Sequence, residues 1–293
     1  MKLVTYLADV GVRHGVLRGE SDNERVIELG PGDLLELIES GPDGLQRART
    51  PSGTERDLSA VRLLSPLRRP PKILALARNY QDHITEGGLP PVDKSRIVPK
   101  LFLKPSSAII GPDEPVCLPS VSHTTDWEVE LAVIIGRSCR NVSEVRALDY
   151  VFGYTVANDI SARTTDWGVE RDADVWNELF DWLNGKWPDG FAPLGPYVLT
   201  ADEVPDPQSL DLALYLNGER KQHSNTREMI STVAETIAFA SRFMTLEPGD
   251  VIETGTPSGV GATTGTYVKA GDVMEATIEK LGTLRTPVRA VEA

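Results

Sequence analysis

The chain has 293 residues, 40% of them hydrophobic and 25% charged, with a formal net charge of −13. That length can bury one large core or a small unit beside a larger one. The acidic balance argues against nucleic acid or an anionic membrane surface as the partner, and no apolar run approaches the about 18 residues of a membrane span.

The two cysteines, Cys117 and Cys139, have neither CxxC nor zinc-site spacing. Together with an N-terminus that lacks an apolar h-region, they point to a reducing, cytoplasmic setting with no signal peptide. Residues 1–70 read as a small N-terminal α/β unit. "KLVTYLADVGVRHGVLRG" predicts a hairpin turning near Asp9-Val10-Gly11. "GDLLELIES" predicts a short helix that Gly41-Pro42 ends. The Pro-rich, basic "SPLRRPPK" over 65–72 predicts a linker.

From Lys72 onward, short apolar strands alternate with Gly/Pro turns, and helices are expected only near 143–150, 172–183 and 229–244. The larger unit, 71–293, is therefore expected to be mostly β with peripheral helices, an α+β fold.

Candidate chemistry appears in chain order. In "ALARNYQDHITEGG", His83 and Glu86 are three residues apart. On one helical turn they would share a face, and a His held by a carboxylate is a base suited to activating water. A solvated surface pair would show the same spacing. In "DWEVELAVIIGR", Glu128 and Glu130 stand two residues apart at the start of an apolar strand. That spacing puts both carboxylates on one face, where they repel unless something compensates them. Either a hard divalent cation shared between them or a solvated strand end accounts for the pair.

Asp159 ends a second apolar strand in "YTVANDISAR". It is a third oxygen ligand for Mg²⁺, Mn²⁺ or Ca²⁺, or the cap of a turn. Lys186 falls in the Gly/Pro-rich loop "NGKWPDGFAPLGP". "DVIETGTPSGVG" runs a strand into a Gly-rich turn holding Gly255 and Thr256, whose N–H groups could receive an oxyanion; the turn lacks the Lys-Ser/Thr ending of a P-loop.

Each signal is weak alone, but eight blocks in register are specific. "ALARNYQDH", "LFLKPSSAIIGP", "DWEVELAVIIG", "VFGYTVANDISAR", "GKWPDGFAPLGP", "LNGERKQ", "TLEPGDVIETGTPSGVG" and "AGDVMEATIEKLGTL" resemble the fumarylacetoacetate hydrolase family over about residues 72–289. The likeness is greatest to its bacterial acylpyruvase and oxaloacetate decarboxylase branch.

The resemblance implies a mixed β-roll or barrel-like catalytic domain, usually a homodimer. It implies Mg²⁺ or Mn²⁺ on Glu128, Glu130 and Asp159, a His83–Glu86 dyad carried by a lid, and an active-site Lys186. Thr256 is implied to contact substrate, with Arg78, Tyr80 and Lys104 near the pocket. The implied activity is metal-dependent C–C hydrolysis of an acylpyruvate or related 2,4-dioxo acid. Lyase or isomerase chemistry on the same scaffold is the alternative: oxaloacetate decarboxylase, sugar-acid dehydratase, or an isomerase of a dienedioate.

One departure stands out. Members often carry Gln where this chain has Asp166 in "SARTTD", and Lys-Ser where it has Lys186-Trp187. An acid at that place in the pocket would disfavour a second substrate carboxylate, so a neutral distal end is expected.

Overall fold

A computed structural model describes residues 1–19 and 23–290. Its architecture is α+β, as the strand-rich sequence predicts. The predicted N-terminal hairpin is present as Lys2–Ala8 and Gly11–Arg18, closing at Ala8↔Gly11. The helix Leu34–Glu39 starts where the Asp33 side chain accepts from the Leu35 N–H.

Gly41-Pro42 was expected to end helical structure here, and the chain instead enters a second helix, Gly41–Arg49. A proline in the first turn of a helix has no N–H to lose. Gly41, at φ +56°, makes the corner between the two helices.

Residues 1–70 do not form a sheet of their own. Lys2–Ala8 pairs antiparallel with Ala192–Thr200 at Lys2↔Leu199 and Leu3↔Val198. From there the twelve-stranded sheet continues through Val151–Asn158, Val129–Ile135, Val251–Glu253 and Ile73–Ala77 to an edge at Lys100–Lys104. Val4 and Tyr6 share one buried cluster with Val129, Leu131 and Leu199. A five-stranded sheet packs near the centre, its strands Asp211–Leu216 and Val273–Ile278 lying inside.

The helices predicted in the larger unit lie at Glu144–Ala147, Val175–Asn184 and Val233–Phe243. The last is opened by a capping box between Thr232 and Glu235. Among the described residues no helix is long and apolar enough to cross a membrane.

The two central strands set the position of the acids. Val129 pairs with Asn158, so Glu128 and Asp159 leave the ladder at the same end, and the Asp159 N–H donates to the Glu128 carbonyl at 2.9 Å. Glu130 lies one pleat further in, on the same face as Glu128.

Candidate active site

A cavity of about 930 Å³ opens over that end of the sheet, with Glu128, Asp159 and Lys186 lining it. Glu128, Glu130 and Asp159 are all buried and offer carboxylate oxygens within 4.8 Å of one another. Buried carboxylates this close need compensation. The Lys186 ammonium donates to Glu128 Oε2 at 2.8 Å and Asp159 Oδ2 at 2.6 Å. Lys104, on the edge strand, pairs with the other Asp159 oxygen and donates to the Phe191 carbonyl at 2.8 Å. The Arg163 guanidinium lies 2.6 Å from Glu128 Oε1, and its Nε donates to Asp126 Oδ2 at 2.8 Å.

Among the described residues Glu130 forms no ion pair. Its Oε2 accepts the Gly255 N–H at 2.6 Å. Gly255 sits at φ +89°, and a Cβ there would stand 2.6 Å from Asn79 Cβ. Only glycine brings this N–H to the carboxylate without strain.

Five acids converge here: Asp126, Glu128, Glu130, Asp159 and Glu253. Three cations answer them: Lys104, Lys186 and Arg163. Two negative charges remain, which is the charge one divalent cation cancels. The titration directions follow this imbalance. Burial alone would push the Glu128 carboxyl up, but Lys186 and Arg163 overcome it and hold it well below the usual carboxylate range. Burial, then Asp159 and Glu253, drive the Glu130 carboxyl well above that range. Glu253 is pushed up to about 7 by burial against the opposing pull of Lys104. Both Glu253 oxygens lack a hydrogen-bond partner among the described residues.

His83 and Glu86 lie on the short helix Gln81–Glu86. The expected pair forms: His83 Nδ1 and Glu86 Oε1 are 2.7 Å apart, and both residues line the cavity. Glu86 is itself held, since its Oε2 accepts the Gly259 N–H at 2.8 Å. The neighbouring Asp82 accepts from Ser258 Oγ at 2.7 Å, so the helix is clipped twice to the Gly-rich loop. An Nδ1–H donated to Glu86 leaves Nε2 as the free acceptor.

The structure distributes the remaining predicted residues unevenly. Arg78, at φ +57°, lines the cavity, and its guanidinium makes no ion pair among the described residues. The Thr256 hydroxyl is engaged in the wall, donating to the Val129 carbonyl at 2.9 Å and accepting from Gln222 Nε2 at 2.9 Å. Tyr80 is fully buried behind the cavity, its Oη unpartnered among the described residues. Burial and then Glu130 raise its phenol well above the ordinary value.

Asp166, expected in the pocket, lies outside it. It is exposed, outside the cavity lining, and its Oδ1 accepts the Gly168 N–H at 2.8 Å in a local turn. Arg163 still lines the cavity, but Asp166 does not, and its backbone N–H donates to the Val121 carbonyl at 2.7 Å.

Arg163 and Glu253 join the cluster without having been singled out in the sequence. Glu253 had a legible signal, an acid ending the apolar strand Val251–Glu253; Arg163 had none.

Residues 72–289 match the fumarylacetoacetate hydrolase C-terminal family. The chain belongs to that family. A mitochondrial oxaloacetate tautomerase of Xenopus laevis is 39% identical over 278 residues, 91% of this chain and 83% of that protein. A fumarylacetoacetate hydrolase from psychrophilic Exiguobacterium antarcticum superposes with a TM-score of 0.80 at 34% identity, covering 99% of this chain and 100% of that one. A 5-carboxymethyl-2-hydroxymuconate delta-isomerase from Mycobacterium smegmatis does so with a TM-score of 0.79 at 32% identity, over 99% and 100%. The protein is thus a fumarylacetoacetate hydrolase-family enzyme with an acidic triad.

That triad fits a divalent metal on its own chemistry: three buried oxygen donors within 4.8 Å of one another, in a cluster whose carboxyl groups outnumber its cations by two. Adding Mg²⁺ or Mn²⁺ to chelator-stripped enzyme is therefore expected to raise its melting temperature. The gain is about 2.7 kcal/mol when the ion is at roughly 100 times its Kd. A melting curve indifferent to both ions would overturn the assignment.

Proposed function

We propose that this enzyme hydrolyses a C–C bond of an acylpyruvate or related 2,4-dioxo acid, with Mg²⁺ or Mn²⁺ on Glu128, Glu130 and Asp159. The homodimer and the cytoplasmic setting implied by the resemblance belong to the same proposal. The observation that carries it is the His83–Glu86 pair, which presents a held imidazole to the cavity above the acids.

A divalent cation bound there would supply Lewis-acid polarisation of the 2-oxo acid. Arg78, the cavity-lining guanidinium without an ion-pair partner among the described residues, receives the substrate carboxylate. Glu86 keeps the His83 ring oriented, and His83 Nε2 takes a proton from water. The hydroxide adds to the distal carbonyl carbon. The bond between that carbon and the methylene breaks, its electron pair leaving as the enolate of pyruvate. The proton on His83 is delivered to the former methylene carbon of that enolate, which becomes the methyl group, so the products are a carboxylic acid and pyruvate.

A second reading has its own support. The named relatives include an oxaloacetate tautomerase and an isomerase. Both activities need only proton movement beside a carbonyl, which the same imidazole could serve without attack by water.

The discriminating experiment follows acetylpyruvate and oxaloacetate by enol absorbance in chelator-stripped enzyme, with and without added Mg²⁺ or Mn²⁺, while pyruvate is assayed separately. Metal-dependent loss of acetylpyruvate with equal pyruvate and acetate is expected. Enol–keto conversion of oxaloacetate with no pyruvate from either compound would replace hydrolysis with tautomerisation.

A further inference from the structure

The cavity is charged at its floor and apolar along one wall. Phe102 and Lys104 lie on one face of the edge strand, two residues apart. That single pleat step leads from the lysine paired to Asp159 to an aromatic ring. The Phe102 ring centroid is 5.7 Å from the Lys186 ammonium, so the apolar wall begins beside the charged cluster.

Trp182 meets that ring edge-on, with centroids 4.8 Å apart and planes at 68°. It comes from the helix Val175–Asn184, which also turns Val175, Leu179 and Leu183 into the cavity at helical spacing. Leu179 is 43% exposed and Val175 is 71% exposed. An apolar group covering them would remove that surface from water. The about 930 Å³ of space is far more than acetylpyruvate fills.

The charges near this wall do not favour a distal carboxylate. Lys100, one pleat beyond Phe102, is exposed, and Glu178 of opposite sign lines the same cavity from the helix. An exposed ion pair at Lys100 would contribute little. The expected neutral substrate tail therefore stands on the aromatic wall and not on Asp166.

We propose that Phe102, Trp182 and Leu179 form an acyl-tail subsite that selects substrates bearing an aryl or similarly bulky apolar group. The inference rests on the proposed function only in taking the substrate head to be a 2-oxo acid.

The test measures binding of three uncleavable probes to Mg²⁺-loaded enzyme by calorimetry: 2-oxobutanoate, 2-oxo-4-phenylbutanoate and 2-oxoadipate. The phenyl probe is expected to bind at least about tenfold more tightly than 2-oxobutanoate, with 2-oxoadipate showing no such gain. Trp182→Ala is expected to remove most of that preference. Because Trp182 helps pack the wall, Leu179→Trp, at a half-exposed helix position, serves as the second variant; it fills the subsite and should weaken the phenyl probe selectively.

Equal binding of all three probes, or tightest binding of 2-oxoadipate, overturns the subsite. No binding of any probe overturns it together with the 2-oxo-acid head. Parallel turnover of acetylpyruvate and benzoylpyruvate separates the two proposals. Cleavage without aryl preference removes the subsite and leaves the hydrolase. Aryl preference in binding without cleavage does the reverse.

Discussion

His83→Ala is expected to lower kcat on the cleaved substrate about 10²- to 10⁴-fold, the range a positioned general base contributes. The fold should barely notice. The His83 side chain is 18% exposed on a six-residue helix, and the one hydrogen bond of its ring among the described residues is to Glu86. Loss of stability on the order of 0.5 kcal/mol is the scale for such a position. The informative measurement is thus kcat beside the urea midpoint, on the same metal-loaded preparation. A large fall in kcat with an unchanged midpoint places His83 in the proton transfer. Full turnover in the variant would move water activation to another group and remove the observation on which hydrolysis rests.

Lys186→Met makes the opposite kind of demand. Lys186 is buried, and its ammonium serves both Glu128 and Asp159. Burial works against that charge, but Asp159 and Glu128 more than restore it and raise the lysine above its ordinary value. Methionine is similar in length and cannot pair, so it leaves two buried carboxylates short of a partner. Breaking a buried pair from one side costs about 3–5 kcal/mol.

The urea midpoint of chelator-stripped Lys186→Met should therefore fall by an amount equivalent to that figure, read through an unchanged m-value. Saturating Mg²⁺ should recover part of it, because the ion supplies the positive charge the variant lacks. A midpoint equal to that of the parent would show that the lysine contributes nothing net to the cluster.

The difference between these two residues shows how far the chain alone could be read. His83 and Glu86 are three apart, and Glu128 and Glu130 are two apart. Helical and strand periodicity translate those spacings directly into shared faces, so both pairs were legible before any fold was known. The terminal hairpin and the helix Val233–Phe243 were local in the same sense, and the ordered blocks carried the family.

Lys186 was visible as a residue but not as a partner. It reaches Glu128 across 58 positions and Asp159 across 27. Which strands lie side by side decides that meeting, and the order of the sheet is not written in any local spacing. The same holds for Gly255, whose N–H meets Glu130 across 125 positions, and for the ring of Trp182 against Phe102.

Asp166 shows the converse. Aligned position suggested the pocket, but Asp166 is exposed, outside the cavity lining, and its side chain is engaged by the Gly168 N–H. The sequence by itself determined the donor types, their pairwise faces and the family. Tertiary structure alone decided the charge balance around the triad and the apolar wall above it, because burial and long-range pairing are properties of the packed sheet.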